Sequence, residues 1–144
     1  MAEADKNYAL IDHTADVGVE VRGENFADLL VHAGEAVFSV ITDLSTVEPS
    51  TCWEVRVAPG KPEEVMRSWL DELLSRFNRK DMLFSRFAVM VLDDNGIRAQ
   101  AWGEVLDDSR HSLHTEIKGI TYHQFQVRQN TAGTGWVARI ILDV

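Results

Sequence analysis

With 45% hydrophobic and 26% charged residues in 144, the chain has a globular composition and the length of one domain, expected to span 1–144. Its 23 acidic residues outnumber 14 basic ones for a formal net charge of −9. Direct RNA or DNA binding is therefore not expected, since that affinity comes mostly from Lys and Arg neutralising phosphates, and a cation or a basic protein surface is the better match. No apolar run approaches the ~20 residues that cross a bilayer, and residues 1–6 are polar where a signal peptide is basic and then apolar.

The elements follow in chain order. Tyr8 to Ile11 predicts a short strand, and Val17 to Arg22 a second, in which Val17, Val19 and Val21 alternate with Gly18, Glu20 and Arg22. Asn25 can cap a helix near 25–42, with Asp28 three residues on in an approximate capping box. Phe26, Leu29, Leu30, Ala33, Val37, Val40 and Ile41 form its apolar stripe, with His32 expected on the helix surface. Thr42-Asp43-Leu44-Ser45 begins an exit loop. Trp53, Val55 and Val57 mark a third strand, and the lone Cys52 beside it, which permits no internal disulfide and suits a reducing cytoplasm, is expected as a small buried hydrophobe. Pro62, Glu63 and Glu64 open a second helix near 62–79, with Val65, Met66, Trp69, Leu70, Leu73, Leu74 and Phe77 as its core face. Arg76, Arg79 and Lys80 cluster at its end, where cations complement the helix dipole. Leu83 to Leu92 and Ile97 to Leu106 pair through the turn Asp93-Asp94-Asn95-Gly96. A loop from Asp107 to His114 precedes strands at Thr121 to Val127 and Trp136 to Val144. The pattern is α+β, two helices packed on mainly antiparallel sheet.

Two acidic residues stand at opposite ends of this order, Asp12 after the first strand and Asp143 in the last. If those strands are neighbours, the Asp12 and Asp143 side chains and the Val144 carboxylate converge, and such a group either repels itself or binds a hard cation such as Ca²⁺ or Mg²⁺. The alternative is an Asx-turn at Asp12 and a solvated tail at Asp143. His111, His114 and His123 are a second candidate donor set, for Zn²⁺, although no His-Glu-x-x-His helix accompanies them. Glu116 and Lys118 point to one side of an extended segment, as a solvated charged face or a partner contact. No phosphate-binding glycine loop and no ordered Ser, His and Asp set supports a nucleophilic enzyme.

The runs Ile11-Asp12-His13-Thr14-Ala15-Asp16-Val17, Thr42-Asp43, Thr115-Glu116-Ile117-Lys118-Gly119-Ile120-Thr121-Tyr122-His123 and Ile141-Leu142-Asp143-Val144 resemble the archeases over essentially the whole chain. Ser112, where the family often has proline, and His114 are local departures. The resemblance implies a non-enzymatic cytoplasmic accessory protein that activates an RtcB-type RNA (tRNA-splicing) ligase by promoting its guanylylation and multiple turnover. It also implies a bound divalent metal, Ca²⁺, at Asp12, Asp143 and Val144. A general protein chaperone is the alternative, and it calls for a sizeable exposed apolar patch.

Overall fold

The computed structural model describes residues 7–11, 17–130 and 134–144, without the side chains of residues 10, 11, 122 and 123. Its elements are β1 (Tyr8–Ile11), β2 (Val17–Gly23), α1 (Phe26–Ile41), a 3-10 turn (Leu44–Thr46), β3 (Thr51–Val57), α2 (Pro62–Lys80), β4 (Met82–Asp93), β5 (Gly96–Val105), β6 (Gly119–Gln129) and β7 (Trp136–Asp143). The strands form two antiparallel sheets, ordered β1-β2-β7-β6 and β3-β5-β4.

Local chemistry accounts for the element ends. Asn25 Oδ1 accepts from the Asp28 N–H at 2.8 Å and starts α1. Asp28 reaches back to the N–H of Glu24 at 2.9 Å, one residue before the cap. At α2, Glu64 accepts from the Lys61 N–H at 2.8 Å ahead of Pro62. Asp81 ends that helix in the left-handed conformation, with φ 54. In the β4–β5 hairpin the loop residues are Asp94 and Asn95, and Gly96 carries the left-handed backbone at φ 112. A Cβ on Gly96 would lie 2.2 Å from the Val57 carbonyl oxygen, so that position excludes any larger residue.

Both helices lie between the sheets. α1 packs on β2 of one sheet and β4 of the other, and α2 packs on β6, β3 and β4. Apolar side chains on the helices thus meet apolar side chains on two sides, in one continuous core. Phe38 of α1 sits at its centre, its ring 5.5 Å from Phe84, 6.1 Å from Phe87 and 6.4 Å from Phe77. Trp69 of α2 is fully buried, and its indole N–H donates to the Leu30 carbonyl at 2.8 Å, satisfying the one polar atom the ring carries inward.

Two expectations are corrected here. The first and last strands are not neighbours, because β2 lies between them. β1 has four residues and pairs with β2 through a local antiparallel register, Ile11 opposite Gly18. The seven-residue β2 then offers its other edge to β7, with Val19 and Val21 fully buried. Cys52 is exposed. It shares the parity of Glu54 and Arg56, the outward face of β3, while Val55 and Val57 face the core.

Because Trp69 combines a large buried ring with a satisfied N–H, Trp69→Ala should lower unfolding stability by about 3–5 kcal/mol in urea titration. Leu92→Ala, at a position 46% exposed, should stay within about 0.5 kcal/mol of the parent.

Candidate metal centre

The final strand is locked on both sides. Leu142 lies opposite Val17 on β2, and Asp143 lies opposite Gly119 on β6. Ile140, Ile141 and Leu142 are fully buried in succession, so the strand is covered on both faces near its end. The Lys118 N–H donates to the Asp143 carbonyl at 2.7 Å. The main chain of Asp143 is thereby committed while its side chain is exposed, and Val144 packs half-buried against the core. Asp143 shares a face with the fully buried Ile141, so its exposure comes from its place at the strand end, where the cover over that face stops.

Asp12 lies outside the described residues. Its bracketing residues do not. Ile11 is opposite Gly18, Gly18 is opposite Ile141, and Val17 is opposite Leu142. The chain therefore leaves β1 and re-enters β2 at the end of the sheet where β7 stops. Among the described residues, no group of three or more His, Cys, Asp or Glu side chains is placed to hold a metal.

The segment 111–118 links this end to α1. Thr42, buried at the helix terminus, donates its hydroxyl to the Ser112 carbonyl at 2.7 Å, and the His114 N–H donates to the Ile41 carbonyl at 2.7 Å. Four residues on, Lys118 makes its bond to Asp143. Asp43 follows Thr42 directly and caps the 3-10 turn, its Oδ1 accepting from the N–H of Ser45 at 3.0 Å and from the Ser45 hydroxyl at 2.8 Å. Glu116 and Lys118 are both exposed on either side of the fully buried Ile117, the alternation of an extended chain although β6 begins only at Gly119.

His111 has a structural task instead. Its Nδ1 accepts from the Asp107 N–H at 2.9 Å, which leaves Nε2 to donate to Glu104 Oε2 at 2.9 Å. Both ring nitrogens are committed and the side chain is fully buried. His114 is exposed, and the His123 side chain lies outside the described residues. Glu104 is the hub of this cluster. Arg110 grips both of its oxygens and the Glu48 N–H adds a bond at 2.8 Å, holding the Glu104 carboxyl down at about 2, with His111 contributing less. No residue pattern marks this clamp, because its members come together only when β5 and the loop behind it close.

His32 also departs from its expected place on the helix surface. Its Nδ1 donates to the Arg22 carbonyl at 2.6 Å, with Asn7 at 3.2 Å and Asp28 at 3.4 Å from Nε2, so it ties α1 to β2 and to the residue preceding β1. The cavity it borders, about 970 Å³ and lined also by Arg128 and Trp136, is far from the candidate centre. Trp136 pairs with Gly23, at the opposite end of β7 from Asp143.

The arrangement of two helices between antiparallel sheets, with the chain ending on a doubly paired strand, is that of a known class of small α+β proteins. The solution structure of protein 1598 of Methanobacterium thermoautotrophicum superposes with a TM-score of 0.82 at 30% identity, over 96% of this chain and 99% of that one. Residues 8–144 match the Archease protein family (MTH1598/TM1083). Relatives named protein archease include that of Methanopyrus kandleri, 39% identical over 93% of this chain and 96% of the relative. That of Sulfurisphaera tokodaii is 31% identical over 96% and 99%. The chain belongs to the archease family.

The Glu104 clamp has a pH signature. Its carboxyl titrates near 2 when folded against an ordinary value of 4.5, so its stabilisation is complete above about pH 4.5 and is lost as pH falls toward 2. Glu104→Gln should flatten the acid limb of the stability curve in that window, measured by thermal melts. Glu104→Ala, which strands the buried His111 N–H, should cost about 1–3 kcal/mol at neutral pH.

Proposed function

We propose that this protein is a non-enzymatic, metal-binding accessory protein of an RtcB-type RNA ligase, promoting guanylylation of the ligase and its multiple turnover in tRNA splicing. Asp12, Asp143 and the Val144 carboxylate are the proposed ligands, and Ca²⁺ the proposed ion. Family membership over residues 8–144 supports the reading. The observation that carries it is the exposed Asp143 carboxylate on a strand end whose main chain is held by both neighbours.

The donor set suits a hard cation. Carboxylate oxygens are the ligands Ca²⁺ and Mg²⁺ take, without thiolate or imidazole. Because Asp143 is exposed, the ion-free state costs little: water solvates the carboxylate and would screen it from the other proposed ligands. The pairing of β7 with β2 and β6 pre-orients the ligand, so binding an ion does not require ordering the terminus. A bound divalent ion would supply positive charge opposite phosphate oxygens at a ligase surface. Of the exposed large apolar residues, Met90, Leu92 and Val105 lie on β4 and β5 and Leu113 on the 111–118 segment.

Added to the ligase with GTP and a divalent metal, the protein should raise the guanylylation rate and permit many turnovers, and alone it should join no RNA. An unchanged ligase progress curve would refute the activator reading and favour the general chaperone. Asp12→Ala and Asp143→Ala should each weaken Ca²⁺ binding at least about tenfold by calorimetry and reduce activation in parallel, with melting temperatures close to the parent's. An extension after Val144 should act in the same direction, since it converts the carboxylate to an amide. His114→Ala should leave both activities intact. Full Ca²⁺ affinity and activation in Asp143→Ala would show that the site lies elsewhere.

A further inference from the structure

The basic cluster at the end of α2 does more than offset the helix dipole. Arg76, Arg79 and Lys80 line a cavity of about 230 Å³ together with Trp53, Glu72 and Ser75, against about 30 Å³ for a water in the liquid. The cavity lies between β3, which supplies Trp53, and the last turns of α2, which supply the rest. The Arg76 guanidinium sits 4.4 Å from the centre of the Trp53 ring.

Two donors in these walls lack acceptors. The indole Nε1 of Trp53 and the Nε of Arg76 are both buried with no hydrogen-bond partner. Indole and guanidinium nitrogens donate and do not accept, so what they lack is an acceptor, and the sign of the missing group is thereby decided. The lining supplies little to meet it. Glu72, its one carboxylate, approaches Arg76 Nη2 only to 3.8 Å. Three cations against that single carboxylate leave a surplus of two positive charges, which matches a phosphate near −2 better than a lone carboxylate. Dipole compensation explains cations in a last helical turn, but it leaves the two orphaned donors unexplained.

We propose that this pocket is an oxyanion site for a phosphate group, free or carried on a nucleotide, with Arg76, Arg79 and Lys80 supplying charge and the Trp53 indole N–H a directed hydrogen bond. It is separate from the Asp143 terminus and does not rest on the ligase reading. Arg76 lies over the Trp53 ring and both donors are closed to solvent in this arrangement, so an anion reaches them when the side chains lining the pocket shift outward.

The test is the indole N–H resonance of Trp53 in the full chain, assigned by its loss in Trp53→Phe. Inorganic phosphate and GTP are titrated separately, with chloride holding ionic strength constant. A saturable downfield shift is expected. A shift with inorganic phosphate shows that the free ion suffices, and a shift with GTP alone assigns the site to a nucleotide's phosphate tail. The exposed pair Arg79→Ala and Lys80→Ala, changed together, should weaken the response about tenfold or more, with only the small fall in the thermal melt that loss of two dipole-compensating cations brings. The proposal is overturned if the resonance moves with neither titrant, as a pocket satisfied by water alone requires, or if the double variant titrates like the parent.

Discussion

Pairing of β7 on both edges is the constraint on which the rest of the molecule depends. A terminal strand ordinarily frays, because its last backbone groups find water as readily as protein. Here β2 holds one edge and β6 the other, and the side chains of Ile140, Ile141 and Leu142 are withdrawn from solvent. Ile141 lies on one face and Ile140 and Leu142 on the other, so both faces are covered up to the last residue of β7, and only there does a carboxylate meet water.

The helices transmit the same constraint. α1 packs on β2 and β4, so it couples the sheet that carries the terminus to the second sheet, and the 111–118 segment bonds its C-terminal end through Thr42 and Ile41 before reaching Asp143. The Glu104, Arg110 and His111 cluster anchors the near end of that segment. A surface ion pair contributes little by itself, but this carboxylate also accepts from a buried imidazole and a backbone N–H, so the group acts as a clamp. The segment between clamp and terminus is extended, with Ile117 as its buried anchor.

Charge divides the surface into two chemistries. The chain as a whole is acidic, at −9, which suits the cation proposed at Asp143. The end of α2 gathers Arg76, Arg79 and Lys80 beside Trp53, an opposite local sign within an acidic protein. Net charge governs long-range steering, whereas a small pocket is governed by the groups within a Debye length of it.

Periodicity carried most of the fold into the sequence. The period-two valines of β2, the stripe from Phe26 to Ile41 and the stripe from Val65 to Phe77 are local patterns, and so are the Asn25 cap, Pro62 at a first helical position and the Asn-Gly turn. Each is set by neighbours within a few residues, and each appears where the pattern puts it. The motif around Asp12 and the acidic end at Asp143 were likewise legible as residue types. Which strand lies beside β7 was not, because strand order is decided by competition among edges of similar pattern, and the seven-residue β2, not the four-residue β1, takes that place. Cys52 takes its exposure from the face on which it falls, which it shares by parity with Glu54, and not from its residue type. The commitment of His111 to Glu104 and the union of Trp53 with Arg76 depend on tertiary closure alone: their partners are remote in sequence or on different elements, and hydrogen-bond geometry has no period from which to be read.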